Sequence, residues 1–150
     1  MASQLFKEDA ASMNARTPGC LLAAWSFGFA CTHMAWAVGW RGGVPADAPP
    51  ISERPVFLAY DVIAGLLMYV AAGVAVVLST YRAPRWLRVT TAAAAGLALL
   101  RGVPALVFDI ATRDFTAVGF FADIWFVTAG AGGLLLLRIV TTKEGDLATR

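Results

Sequence analysis

The chain has 150 residues, of which 59% are hydrophobic and 15% are charged, and its formal net charge is +2. Its mean hydropathy of +0.67 excludes an ordinary soluble domain, in which about half of the residues are apolar. The sequence has no internal repeat, nucleotide-binding glycine loop or zinc-binding spacing, so nothing in it supports nucleic-acid binding.

The chain begins with a polar segment, residues 1–18, which we predict to be a cytoplasmic tail with a short amphipathic helix around Leu5–Met13. An apolar stretch follows from Gly19 to Trp40. It is longer than the roughly 7–15 apolar residues of a signal peptide, and it lies behind a long polar segment. We therefore expect it to remain in the mature protein as the first membrane span.

Four apolar stretches, each close to the roughly 20 residues that a helix needs to cross a membrane, are separated by polar or turn-rich segments. The predicted fold is therefore an all-α integral membrane protein. Residues 19–141 form a four-helix transmembrane bundle, and residues 142–150 form a second cytoplasmic tail. The four predicted spans cover residues 19–40, 58–80, 89–109 and 117–140.

The connections between the spans differ in length. Residues 41–57 form the longest connection and contain four prolines, so this loop should be stiff and non-helical. It is a candidate lid over the outer face. The connection around residues 111–116 is short, which makes the third and fourth spans an antiparallel hairpin.

Arginine and lysine residues are distributed unevenly between the two sides of this topology. The side with both tails and the middle loop carries eight of them, and the other side carries three. Short loops rich in these residues stay in the cytoplasm. We therefore predict cytoplasmic termini and a multi-pass protein of the bacterial inner membrane.

Five histidine, arginine and aspartate side chains lie in the outer halves of the predicted spans. Such residues are costly in hydrocarbon, so they usually face a protein interior and have a function. Three of them should lie about 9–12 Å below the outer ends of their helices, and the other two should lie nearer the ends. The candidate catalytic residues are His33, Arg101 and Asp123 at the deeper level, and Asp61 and Asp109 above them.

Arg101 and Asp123 are the ion pair that we expect first, because the third and fourth spans form a hairpin and the guanidinium fork matches two carboxylate oxygens. Pro104 follows Arg101 closely and cannot donate to the carbonyl of Leu100, so the helix should open beside the arginine. Such a kink is typical of a functional site and, equally, of a bend made for packing.

Aromatic residues mark one side of the first span. Trp25, Phe29, His33, Trp36 and Trp40 fall within a sector of roughly 80°. If this stripe faces inward, it forms the wall of an aromatic cavity with His33 near the acids. If it faces lipid, its outer part is an interfacial belt; the inward arrangement is favoured because the outward one would place His33 in lipid. The predicted substrate-binding residues are Trp25, Phe29, Trp36, Trp40 and Tyr60.

Neither a metal ion nor another cofactor is predicted. His33 is the only histidine, which excludes a haem held by two histidines, and it has no second ligand at a metal-binding spacing. Cys20 and Cys31 lie on one helix about 16 Å apart, too far for a disulfide. We interpret them as small apolar filling residues.

Two short motifs resemble a known group of membrane proteins. The stretch His33–Trp40 has the pattern His-x-x-Trp-Ala-x-Gly, and residues 100–102 read Leu-Arg-Gly. These motifs look like a family of uncharacterised four-helix membrane proteins of actinobacterial type, over most of helices one to three. The fourth helix departs, since the family has a Tyr-Ser-Pro stretch where this chain has Asp123–Val127. The resemblance implies the four-helix fold and no function, because the family has no assigned activity.

Three functions fit these residues. The first is an enzyme that performs acid–base chemistry (isomerisation, cyclisation or epoxide opening) on a lipophilic, isoprenoid-like substrate from the membrane. Burial favours the neutral form of one carboxyl group, and a nearby arginine favours the charged form of another. The second is a non-catalytic subunit, in which the charges are structural pairs and small-residue faces contact a partner subunit or a second copy.

The third function is a proton-coupled carrier, for which acids inside the membrane are typical. Apart from Arg138 near the cytoplasmic end of the fourth span, the inner halves of the spans carry no charge, which argues against a transport path. We favour the enzyme over the subunit, and the subunit over the carrier.

Overall fold

The computed structural model describes residues 2–44, 46–81, 83–113 and 117–148, with the side chains of residues 16–44, 46–81, 83–113 and 119–142. Its regular elements are helical, and the described residues contain no strand. A short 3₁₀ turn, Ile51–Glu53, lies in the first connection, and the second long helix begins at Pro55. The prediction of a non-helical connection over residues 41–57 is therefore wrong at its end, because proline is tolerated in the first turn of a helix. The four long helices are α1 (Ala2–Ala37), α2 (Pro55–Thr80), α3 (Arg85–Thr112) and α4 (Ala117–Ala148).

Each of these helices contains a segment long and apolar enough to cross a membrane. The prediction of an all-α fold with four such helices is confirmed, and it indicates a multi-pass membrane protein. Most helices extend beyond their predicted spans: α1 begins within the predicted tail, and α4 continues past residue 140. The apolar pattern marks only the part of a helix that suits lipid, whereas the backbone hydrogen bonds continue through polar residues.

α1 ends three residues before the predicted end of the first span. Gly39 has a positive φ of 97°, a conformation that glycine adopts at little cost. The Trp40 amide donates to the Ala35 carbonyl at 2.8 Å, and the Gly39 amide donates to the Trp36 carbonyl at 3.0 Å. These two bonds form a Schellman motif, which terminates the helix and turns the chain into the first connection.

The bundle consists of two hairpins, α1–α2 and α3–α4, which meet mainly through α1 and α4, while α2 and α3 hardly touch. After the predicted orientation, we name the half at the α2–α3 connection the inner half and the opposite half the outer half. The apolar core of the inner half is formed by Ala75, Leu78, Ala83, Leu136, Leu137 and Val140.

Candidate functional site

His33 of α1 and Asp61 of α2 form a buried pair in the outer half. The two residues are 4% and 3% exposed, and His33 Nδ1 lies 2.5 Å from Asp61 Oδ1. The pair links α1 to α2 in the outer half of the bundle. The prediction that His33 lies near an acid is confirmed, although the sequence did not indicate which of the three aspartates it contacts.

Three aromatic rings surround the His33 imidazole at steep angles. The ring centroids of Phe29, Trp36 and Tyr60 lie 4.5, 5.4 and 5.9 Å from the imidazole centroid. Among the described residues, neither His33 Nε2 nor Asp61 Oδ2 has a hydrogen-bond partner, and both atoms are buried. One nitrogen of the ring therefore contacts a carboxyl group, while the other is buried without a partner among the described residues.

Arg101 and Asp123 form the second pair, which joins α3 to α4. Arg101 Nη1 donates to Asp123 Oδ1 at 2.8 Å, so the predicted ion pair is confirmed. Asp123 is buried, but the Arg101 side chain is 55% exposed. The guanidinium carbon also lies 5.6 Å from the centroid of the Phe126 ring. The carboxylate thus belongs to the interior and the arginine to the surface of the bundle.

The five predicted catalytic residues are brought together as two pairs and one separate residue. No hydrogen bond or ion pair among the described side chains connects His33–Asp61 with Arg101–Asp123. Asp109 is partly buried near the end of α3 and forms no ion pair with any described side chain. Each pair links two helices that are consecutive in the chain, so each pair lies within one hairpin.

The aromatic stripe of α1 faces inward in its middle part. Phe29 and His33 are buried, whereas Trp25 and Trp40 are exposed at the two ends. Trp40 stacks on Trp36 with centroids 6.4 Å apart, and Trp36 Nε1 donates to the carbonyl of Gly42 at 2.8 Å. The predicted inward stripe therefore holds for the centre of α1, and Trp25 lies at the surface. The placement of Trp40 on the same helix is wrong, because α1 ends at Ala37.

Trp125 of α4 completes this aromatic column, and the sequence analysis missed it. Its ring stacks on Trp25 and on Phe29, with centroid distances of 4.1 and 4.4 Å. Two parallel rings this close to one indole cannot share a face, so Trp125 is inserted between them. A signal was present, because Trp125 lies well inside an apolar span where an interfacial belt does not explain a tryptophan.

A cavity of about 460 Å³ lies below the two pairs, between the four helices. It extends from Phe29 and Trp125 in the middle of the bundle to Leu78 and Thr90 in the inner half. None of the five predicted catalytic residues lines it, and Phe29 is the predicted substrate-binding residue that does. Phe29 therefore contacts both the cavity and the His33 imidazole.

Comparison with known protein families, curated proteins and solved structures gives no match to this chain. Among the described residues, no group of three or more histidine, cysteine, aspartate or glutamate side chains is placed to hold a metal ion. The features that bear on function are therefore the buried His33–Asp61 pair, the half-exposed Arg101–Asp123 pair, the aromatic column and the cavity.

Proposed function

We propose that the protein is a multi-pass enzyme of the bacterial inner membrane that performs acid–base chemistry on a lipophilic, isoprenoid-like substrate. His33 transfers the proton, and Asp61 is its positioning partner. The observation that supports this proposal is the buried hydrogen bond between His33 Nδ1 and Asp61 Oδ1, which leaves His33 Nε2 without a partner among the described residues.

A carboxylate that accepts the Nδ1 proton of a histidine selects one tautomer of the ring. In that tautomer Nε2 carries a lone pair and can accept a proton. Asp61 also fixes the orientation of the ring and stabilises the imidazolium that forms after proton transfer. Packing against Phe29, Trp36 and Tyr60 limits the access of water, so the proton passes mainly between His33 and the substrate. Slower exchange of the imidazolium proton with water lets solvent deuterium enter the product.

Isomerisation is the reaction that these groups perform with the fewest additional requirements. His33 Nε2 accepts a proton from one carbon of the substrate, the double bond moves, and the imidazolium returns a proton to another carbon. One C–H bond is broken and one is formed, so the composition is unchanged. Cyclisation and epoxide opening begin instead with donation of a proton and require the imidazolium form at the start.

The other three predicted catalytic residues have lesser roles in this proposal. Arg101 and Asp123 connect α3 to α4 and support the wall that contains Trp125 and Phe126. Asp109, which is partly buried and without an ion-pair partner among the described side chains, stays a predicted catalytic residue. Together with Arg101 and Asp123, it is secondary to His33 and Asp61.

Deuterium exchange tests the enzyme proposal with a whole lipid mixture in place of one chosen substrate. Purified protein in detergent is incubated in heavy water with the total lipid extract of the cells that produce it, and the lipids are analysed by mass spectrometry. We expect one lipid species to gain deuterium. His33→Gln and Asp61→Asn should slow this exchange by about 10²–10⁴-fold, the contribution of a positioned acid–base group.

The matched control is Asp47→Asn, which changes an exposed acid in the first connection to its amide. Asp47→Asn should exchange at the wild-type rate. Equal exchange rates in Asp61→Asn and Asp47→Asn, or no protein-dependent exchange into any lipid, would contradict the proposal.

A second candidate function, a non-catalytic subunit of a membrane assembly, is favoured by Arg101. Its side chain is 55% exposed on a helix that is apolar enough to cross a membrane. An arginine that faces lipid inside a span is costly, and a partner subunit or a second copy could cover it.

Cross-linking in intact membranes distinguishes this function from the enzyme. If Arg101 contacts a partner, Arg101→Gln should abolish the cross-linked assembly. Arg113→Gln, an exposed arginine just after α3, should preserve it. If both variants cross-link like the wild type, the subunit function loses its supporting observation.

A further inference from the structure

The cavity is chemically uniform over most of its surface. None of its lining residues is an acid or a base, and apolar side chains of all four helices supply nearly the whole wall. Ionic ligands would lose their hydration there without compensation. Its volume of about 460 Å³ falls within the range of roughly 300–1,000 Å³ that is typical of small-molecule sites.

The mouth of the cavity opens sideways, between α2 and α3. These two helices hardly touch, and both contribute lining residues that remain on the surface. Leu67, Val70 and Leu97 are 59%, 63% and 66% exposed although they line the cavity. An opening parallel to the helix axes would face the loops, whereas this one faces the side of the bundle, where lipid lies in a membrane-spanning orientation.

Residues with polar groups line both ends of the cavity, but these groups differ in whether they already form hydrogen bonds. At the inner end, the hydroxyl groups of Thr90 and Thr91 donate to the carbonyl of Leu87 at 3.0 and 2.7 Å. Trp125 lines the opposite end, and its Nε1 is buried without a hydrogen-bond partner among the described residues. A buried N–H without a partner costs free energy, so a ligand oxygen that reaches Nε1 from the cavity would be stabilising.

The size of the cavity decides between a lipid chain and a helix as its occupant. A helix is about 10 Å wide, so a volume of this size would hold only roughly 6 Å of it, about one turn. A second copy of the chain can therefore cover the mouth but cannot fill the interior. A single hydrocarbon chain has no such restriction.

We propose that this cavity binds the hydrocarbon chain of an uncharged isoprenoid alcohol or a lipid of the same class, which enters sideways between α2 and α3. The ligand oxygen accepts a hydrogen bond from Trp125 Nε1, and the chain extends toward the inner half. Its assignment as the substrate site rests on the proposed function. The carbons next to the ligand oxygen would lie beside Phe29, which contacts both Trp125 and the His33 imidazole, and the Phe29 ring must turn aside for them to reach His33 Nε2.

Photolabelling with farnesol that carries a diazirine tests this site. The probe is added to purified full-length protein in detergent, and the labelled residues are mapped by mass spectrometry. In the wild-type protein, we expect the label on cavity-lining residues of α2 and α3, such as Ala71 and Ala98, and not on surface residues such as Leu66 and Leu100 that do not line it.

Two neighbouring alanines of α3 provide a matched pair of blocking and control variants. Ala94 lines the cavity and Ala93 does not, and both lie on the surface of the helix. Ala94→Trp should lower cavity labelling by about tenfold or more, while Ala93→Trp should leave it unchanged. Trp125→Phe keeps an aromatic ring but removes the N–H, so it should raise the half-saturating probe concentration by about threefold to tenfold.

Each outcome supports or overturns the proposal. Equal labelling of Ala94→Trp and the wild type, or labelling confined to the lipid-facing surface, overturns it. Absence of cavity labelling together with a loss of dimers in Ala94→Trp also overturns it and identifies a second copy as the cover of the mouth. Cavity labelling without deuterium exchange supports the lipid site and contradicts the enzyme. Deuterium exchange without cavity labelling supports the enzyme and contradicts the lipid site.

Discussion

At the scale of single residues, the His33–Asp61 pair combines strong burial with incomplete hydrogen bonding. Each residue leaves water when the helices pack, and their mutual hydrogen bond replaces only part of that hydration. His33 Nε2 and Asp61 Oδ2 lie unpartnered in the described structure, which lowers the stability of the folded state. Unsatisfied buried groups are few in native proteins and are often found where function requires them.

Asp61→Ala should lower the free energy of unfolding by about 3–5 kcal/mol, because it leaves the buried His33 without its partner. Asp61→Asn keeps an oxygen that accepts from His33 Nδ1, and it should cost clearly less. Unfolding of the purified protein in mixed detergent micelles, followed by circular dichroism, measures both values. Asp47→Ala, at an exposed site, should stay within about 0.5 kcal/mol of the wild type. If Asp61→Ala unfolds like Asp47→Ala, the pair is not part of the stable core.

At the scale of helices, the close approach of α3 and α4 explains why Arg101 is followed by a glycine. A Cβ atom on Gly102 would lie 2.8 Å from Phe126 Cβ and 2.9 Å from the Asp123 carbonyl oxygen. Without a side chain, α3 comes near enough to α4 for Arg101 to reach the Asp123 carboxylate. Small residues at such contacts are the usual means of packing helices in membranes, where hydrophobicity gives little drive.

Gly102→Ala should therefore destabilise the α3–α4 hairpin by about 1–3 kcal/mol, the usual cost of overpacking. Gly96→Ala is the matched control on the same helix, because nothing lies within 4 Å of the Cβ that it would add. Gly96→Ala should be neutral or stabilise the protein by up to about 1 kcal/mol, through higher helix propensity. Unfolding of both variants in the same micelles gives the comparison, and a larger loss in Gly96→Ala would contradict this packing.

At the scale of the whole molecule, two hairpins meet along α1 and α4 and leave α2 and α3 apart. In the outer half, one side-chain pair links the two helices of each hairpin. The inner half is joined by the apolar core around Leu78 and Leu136, and the cavity lies between these two regions. Both the proposed substrate path and the proposed lipid site depend on this open arrangement.

The orientation of the bundle can be tested with single cysteines in a variant that carries Cys20→Ala and Cys31→Ala. Asp47→Cys places a thiol in the first connection, and Tyr81→Cys places one in the middle loop. From the distribution of arginine and lysine, we expect a membrane-impermeant maleimide to label Asp47→Cys in intact cells. Tyr81→Cys should be labelled only after the membrane is opened, and the reverse pattern would show that the bundle is inverted.

Much of this arrangement followed from the sequence alone. Four helices of membrane length were predictable because burying a backbone in hydrocarbon requires both helical hydrogen bonding and about 20 apolar side chains. The Arg101–Asp123 pair was predictable as well, since a short connection forces α3 and α4 to be neighbours and opposite charges inside a span seek each other. These are local or nearest-neighbour properties, which residue type and spacing determine.

The tertiary structure decided which aspartate contacts His33, where Trp125 packs and where a cavity remains. Each of these depends on the rotation of a helix about its axis and on the distance between helices. Small differences in packing set both quantities, for example the glycine contact at Gly102, and apolar periodicity is weak in a span that is hydrophobic on every side. For that reason, four of the five charges that the sequence grouped by depth are paired in the folded protein by hairpin, and the cavity lies beneath them.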